Sequence, residues 1–345
     1  MKLSYCPYSL EFKHPFGLAY GTRTKTDVVF IKLESDGFVG YGEASLPPYL
    51  GETHESVISF LNKEKVYLEN KDLSCKHGET TIGFHLLAEN NNAAKAGLDM
   101  AMHDLYAKSQ NKKVWEYLKY EKPVAKNTSV TISIGDLNLI PQKINEVSDF
   151  NILKVKLGSE NDKEIIETIR KHSDKPLVVD ANQGWKDKHF ALEMINWLSD
   201  KNVLFVEQPM PKENLDDMAW VTEQSPLPTM ADESVKILSD AERVVGAFSG
   251  INLKLMKCTG LHEAKRIIDF VKKNKMKLNV GCMTESSCAI SAAAQLTAYA
   301  DWVDLDGPTL VKNNPFLGIE YKNGKVELSD LPGLGVLPDS DLLFI

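Results

Sequence analysis

The chain has 345 residues, 26% of them charged and 43% hydrophobic, with a formal net charge of −8. That length holds a full (β/α) barrel with a smaller unit beside it, and the negative balance leaves no basic footprint for nucleic acid. No apolar run reaches the length of a membrane span. The opening segment MKLSYCPYSLEF lacks the apolar stretch and small-residue cleavage site of an export signal. Cys6, Cys75, Cys258, Cys282 and Cys288 form an odd set without a CxxC pair, which suits reduced thiols in a cytoplasmic protein better than disulfides or zinc.

The first elements read as antiparallel sheet. In VVFIKLESDGFVGYGEA two apolar runs flank Ser35-Asp36-Gly37, a hairpin signal. A polar loop follows, then NNAAKAGLDMAMHDLYAKSQN, where Ala96, Met100, His103 and Ala107 recur at helical spacing. Residues 1–120 are therefore expected to form an α+β capping domain. From Asn127 the pattern becomes a strict alternation of short strands and amphipathic helices. The strands are SVTISIG, ILKVKLG, PLVVDA, VLFVEQP, PTMADE, INLKLMK, KLNVG and WVDLDG. Eight such units predict an α/β fold, a (β/α) barrel of the modified TIM type over residues 121–315. Residues 316–345, with an Asn-Gly turn, are expected to pack back on the capping domain.

Ionisable residues close successive strands of this barrel. Lys154 and Lys156, Asp180, Glu207, Asp232 and Lys254 follow one another at steps of about 22 to 27 residues, the length of one βα unit. Each therefore sits at the C-terminal ends of the strands, where barrels of this kind carry their active sites. Three carboxylates at one phase of the repeat, with none of the eight histidines at a strand end, describe a site for a hard cation. Mg²⁺ leads and Mn²⁺ follows. Lys154 and Lys156 are two apart on one strand and share its inward face. Lys254 supplies an amine from nearly opposite. Neighbouring cations depress one another's pKa, which makes an amine usable as a base. Lys257 falls out of phase with the interior and is expected on the loop or rim.

This series resembles the enolase superfamily, and within it the muconate-lactonising subgroup, over essentially the whole chain. The resemblance implies Asp180, Glu207 and Asp232 as metal ligands and Lys156 and Lys254 as acid/base catalysts on opposite faces of the substrate. Lys154 would give electrostatic support, and Mg²⁺ would hold an enediolate. Asp304 and Asp306 in WVDLDGP are similar to the D-x-D by which dipeptide epimerases of the subgroup hold the substrate's α-ammonium group. The implied reaction is inversion of the C-terminal residue of an Ala-Xaa dipeptide by two-base proton transfer. Thr131, Cys282, Met283 and Glu285 are further candidate substrate contacts. The covering loops would be residues 16–25 and 47–53. Members acting on Ala-Glu resemble one another in an early arginine, where this chain reads Leu18-Ala19-Tyr20. Tyr20 and its neighbours suit an uncharged Xaa such as Ala, Val, Ser or Met, with Arg23 and Lys25 close by.

Three alternatives stand beside this reading. One is L-Ala-D/L-Glu epimerisation. The second is the o-succinylbenzoate synthase reaction, which has no use for Asp304 and Asp306. The third is a catalytically silent metal-binding barrel, against which both lysines argue. The expected partner is a dipeptide, with no nucleic acid or membrane, and a homo-oligomer is compatible.

Overall fold

A computed structural model describes residues 1–18, 21–74, 90–132 and 137–345. Strands β1 (Lys2–Leu18), β2 (Gly21–Ser35) and β3 (Phe38–Ser45) form an antiparallel sheet. Asp36 and Gly37, at φ 50° and 81°, make the expected tight turn between β2 and β3, since both central residues of that turn need positive φ. The helix Asn92–Ser109 lies on this sheet and is buried from Ala93 to Ala107. Its alanines and Gly97 let two backbones meet. A Cβ on Gly42 would come within 1.9 Å of the Gly97 carbonyl oxygen, and one on Gly40 within 2.1 Å of that of Ala101. Gly42→Val is accordingly expected to destabilise the fold by at least about 1–3 kcal/mol through overpacking. A lower urea midpoint at unchanged m-value would show it.

After the short β4 (Lys126–Asn127), eight strands follow in chain order as one parallel sheet. They are β5 (Ser129–Ile132), β6 (Ile152–Lys156), β7 (Leu177–Asp180), β8 (Val203–Glu207), β9 (Thr229–Ala231), β10 (Gly250–Leu253), β11 (Lys277–Gly281) and β12 (Trp302–Asp304). A parallel bridge between Thr128 and Val303 brings the last strand back to the first, and Ser129 Oγ donates to Asp304 Oδ1 across that seam at 2.6 Å.

Alternation along the strands sorts the two faces. Outward residues such as Leu153, Val155, Val179, Val206 and Ile251 join the main core. They meet helices whose apolar stripes face in, for example Ile165, Ile166 and Ile169 of Asp162–Arg170 and Ile267, Ile268 and Val271 of Leu261–Lys273. Inside the barrel, Val178, Phe205 and Met230 form a separate apolar cluster with Ile152 and Trp302, the rings of Phe205 and Trp302 being 4.8 Å apart. Above this plug the inward positions turn ionisable, so the site stands on a packed floor.

The tail forms the expected hairpin, β13 (Glu320–Lys322) with β14 (Lys325–Glu327), turning at Asn323 and Gly324 with φ 50° and 73°. β14 then pairs with β4, and Ile345 exchanges two backbone hydrogen bonds with Tyr5 of β1. The cap is fastened directly to the barrel rim. Buried Glu43 accepts from Ser286 N and Oγ and from Ala289 N at 2.6–3.2 Å, capping the helix Ser287–Ala294. Ser45 Oγ donates to the Thr284 carbonyl at 2.9 Å. Among the described residues no helix is long and apolar enough to cross a membrane.

Candidate active site

Register brings the acids to one level. Lys156 is paired with Asp180, Asp180 with Glu207, and Glu207 with Met230, two residues before Asp232. Parallel strands cut off at the same height present their terminal side chains around one axis. Oxygens of Asp180, Glu207 and Asp232 all lie within 4.8 Å of one another, and all three residues are buried. Three carboxylates without nitrogen or sulfur donors fit a hard, oxygen-seeking divalent cation.

Four ammonium groups surround this cluster. Lys154 Nζ donates to Glu207 Oε2 at 2.9 Å and Asp304 Oδ2 at 2.8 Å. Lys156 Nζ donates to Asp180 Oδ2 at 2.9 Å and Asn182 Oδ1 at 3.2 Å. From the other side of the ring, Lys254 Nζ donates to Asp232 Oδ2 at 2.7 Å. Lys257, expected at the rim, is instead only 3% exposed and donates to Asp232 Oδ1 at 2.5 Å. The strand ends at Leu253, and Lys257 N and Cys258 N both bond back to the Lys254 carbonyl. The chain thus turns inward, and strand phase no longer applies.

The electrostatics differ from the simple picture of lysines depressing one another. Burial pulls Lys154 and Lys254 down, yet the surrounding carboxylates outweigh it and hold both well above the ordinary lysine value. Burial likewise pushes Asp180 and Asp232 up, but their lysine partners win and keep both below the usual range. Glu207, buried and facing the other two acids, is pushed up to about 8. A divalent cation among these oxygens would offset the negative charge that raises Lys154 and Lys254.

The opposite wall carries Asp304 and Asp306. Asp304 is taken up by Ser129 and Lys154. Asp306 accepts from the backbone N–H of Thr131 at 2.7 Å, with Cys282 Sγ 3.9 Å from its other oxygen. Burial and the adjacent Asp304 push it up to about 6. Both acids line one cleft with Thr131, Lys154, Lys156 and Lys254, and Cys282 and Met283 also face it. Glu285, expected with them, is not among the lining residues. It is 1% exposed and turned back, accepting from Met283 N at 2.8 Å. Burial and Glu43 push it up to about 8. Tyr20 lies outside the described residues.

The cleft also contains residues that strand phase did not point to: Arg23, Tyr49, Asn182 and Glu233. Asn182 and Glu233 had a local signal, standing two residues after Asp180 and one after Asp232. Tyr49 sits in the second covering loop and donates its hydroxyl to Met283 sulfur. Arg23, in β2 of the cap, donates to Thr26 Oγ1 at 3.0 Å and lies 5.9 Å over the Phe12 ring. Nothing local in the sequence announces that it reaches the barrel mouth. The four described cysteines are all buried free thiols.

Comparison with known proteins agrees with this architecture. Residues 142–342 match the model "Enolase C-terminal domain-like", and residues 6–118 match "Mandelate racemase / muconate lactonizing enzyme, N-terminal domain". An L-Ala-D/L-Glu epimerase of Bacteroides thetaiotaomicron is 49% identical over 341 residues, which cover 98% of this chain and 88% of that protein. An L-Ala-D/L-amino acid epimerase of Flavobacterium johnsoniae is 35% identical, with 97% and 99% covered. Among solved structures, the dipeptide epimerase of Cytophaga hutchinsonii complexed with Mg and D-Ala-L-Val superposes with a TM-score of 0.92 at 27% identity, covering 99% of this chain and 98% of that one. These matches extend over essentially the full length, and the chain belongs to the enolase superfamily, in the mandelate racemase/muconate lactonizing enzyme family.

Proposed function

We propose that this protein is a Mg²⁺-dependent dipeptide epimerase that inverts the α-carbon of the C-terminal residue. The observation that carries this is the seating of two amines, Lys156 and Lys254, on different carboxylates of one three-acid cluster. A pair of further acids stands on the same cleft. Asp180, Glu207 and Asp232 are the residues that would hold Mg²⁺, whose chemistry is to neutralise the charge that builds on the substrate carboxylate as its α-proton leaves.

In this reading Lys156 removes the proton from one face, and Lys254 delivers one to the other; the roles exchange for the opposite epimer. Lys154, fixed between Glu207 and Asp304, contributes a standing positive charge. Asp306 and Asp304 receive the peptide's α-ammonium group, which sets the substrate length at one dipeptide. Thr131, Cys282 and Met283 bound the space between. The same reading divides the chain into a cap over residues 1–120, a barrel over 121–315 and a tail over 316–345. Buried free thiols support a cytoplasmic setting.

The side chain of the inverted residue has two readings. Leu18-Ala19-Tyr20 pointed to an uncharged residue. Arg23 on the cleft wall supports an acidic one instead, as does the likeness to an L-Ala-D/L-Glu epimerase. The geometry favours the acidic reading, since a guanidinium is suited to carboxylate recognition. Incubation of Ala-Glu, Ala-Val and Ala-Met with enzyme and Mg²⁺ in D₂O is expected to place deuterium at the C-terminal α-carbon and yield the other epimer, fastest for Ala-Glu. Arg23→Leu is expected to lower kcat/KM for Ala-Glu by about 10- to 100-fold, the worth of a hydrogen bond to a charged group, and to leave Ala-Val within about threefold. Faster turnover of Ala-Val than Ala-Glu by the wild type restores the uncharged reading. No exchange on any dipeptide, with loss of water from a cyclohexadiene carboxylate, favours the synthase.

A further inference from the structure

Lys257 is the fourth lysine of the site, and the proposed proton transfer leaves it without a task. Its Nζ donates to Asp232 Oδ1 at 2.5 Å, to the Asp232 carbonyl at 2.6 Å and to the Asn252 carbonyl at 3.0 Å. An ammonium group has three N–H bonds, so none is left for a substrate. The residue is also absent from the cleft wall. It is therefore no acid or base. What it does is tie the residue just after β9 to β10. Asn252, on the same strand, donates its Nδ2 to Glu207 Oε1 at 2.8 Å. Two of the three clustered carboxylates are thus oriented from β10 and the turn that follows it.

The two oxygens of Asp232 have different partners: Oδ1 meets Lys257 and Oδ2 meets Lys254, at 2.7 Å. Lys254 also lines the cleft, where the proposed reaction engages it with the substrate. A carboxylate oriented by that amine alone would depend on a group that the substrate also engages. Lys257 is absent from the cleft, and all three of its donors are engaged by fixed oxygens of the protein. We infer that Lys257 is a positioning residue that holds the Asp232 carboxylate in ligand orientation independently of Lys254, and so sets the affinity of the site for its divalent cation.

This rests on reading Asp180, Glu207 and Asp232 as the cation ligands, and calorimetric titration with Mg²⁺ tests the two separately. Groups that orient a metal ligand are typically worth about 10- to 100-fold in affinity. Lys257→Met is expected to weaken Mg²⁺ binding by that factor, and Lys257→Arg to recover part of it. At saturating Mg²⁺ the Met variant is expected to regain most of its kcat with an unchanged dipeptide KM. A merely structural lysine would lower the melting temperature and leave the Mg²⁺ affinity alone. Wild-type affinity in folded Lys257→Met overturns the inference and spares the ligand reading. Absence of Mg²⁺ uptake by the wild-type protein overturns both. Should Lys257→Met lose its cooperative melt, Lys257→Gln, neutral with two donors, is titrated under the same criterion.

Discussion

Replacing Lys156 or Lys254 by alanine is expected to abolish epimerisation while leaving half of the proton chemistry intact. Each variant retains one amine on one face of the α-carbon. That amine still removes a proton from the epimer presenting it and, in D₂O, returns a deuteron to the same face. Lys156→Ala should therefore wash deuterium into one epimer of Ala-Glu without inverting it, and Lys254→Ala into the other. Loss of a positioned acid or base is worth about 10²–10⁴-fold, so inversion should fall by at least that much. Because the two amines sit on different carboxylates, Asp180 Oδ2 and Asp232 Oδ2, neither can reach across for its partner. Proton NMR of the α-position with chiral separation of products reads both events at once. Normal inversion by both variants would remove the two-base mechanism. Exchange of the same epimer in both would place the lysines on one face.

The second large effect is expected at Asp306. Its Oδ2 is held by Thr131 N at 2.7 Å, while Asp304 is occupied by Ser129 and Lys154. Both acids line the cleft, and Asp306, unlike Asp304, makes no contact with a lysine among the described residues, its Oδ1 lying 3.9 Å from Cys282 Sγ. Asp306→Asn keeps the shape and removes the charge. A hydrogen-bonded charge pair withdrawn from water is worth about 2–5 kcal/mol when one partner is truncated, so kcat/KM for a free dipeptide should drop by about 30-fold or more. The sharper measurement compares a dipeptide with its N-acetyl derivative. The wild type should strongly prefer the free amine, and Asp306→Asn should lose most of that preference. An undiminished preference would detach Asp306 from amine recognition. Asp304→Asn is expected to act differently, because it also strips a partner from buried Lys154, and its loss should appear in kcat more than in KM.

Much of this site is legible from sequence because strand phase and repeat length are enough to align Lys154, Lys156, Asp180, Glu207 and Asp232. The register confirms that alignment, with Lys156, Asp180 and Glu207 on neighbouring rungs. Legibility ends where the strand does. Lys257 lies four residues beyond Leu253, where a turn closing on the Lys254 carbonyl redirects the chain inward. Glu285 stands at a similar distance from the end of β11 and turns the other way, to its own loop's Met283 N–H. Arg23 was visible as a nearby cation, but its arrival at the cleft depends on how β2 leaves the cap, which no local spacing encodes. The amine electrostatics were also beyond reach from spacing alone. Lysines close in sequence suggested mutual depression, whereas the number of carboxylates packed around Lys154 and Lys254 reverses the balance.

The fastening of the cap has a consequence for how such a protein can diverge. Glu43 and Ser45 tie strand β3 to residues 284–289 at the barrel rim by buried hydrogen bonds. A swing of the whole cap would break these together, so the sheet is held to the rim as one piece, apart from the expected covering segments 16–25 and 47–53. Substitutions in those segments then change which peptide is admitted without displacing the carboxylates or amines beneath. Choice of side chain and chemistry are in this sense inherited on separate parts of one chain, and a new diet can be acquired by a lineage that leaves its reaction untouched.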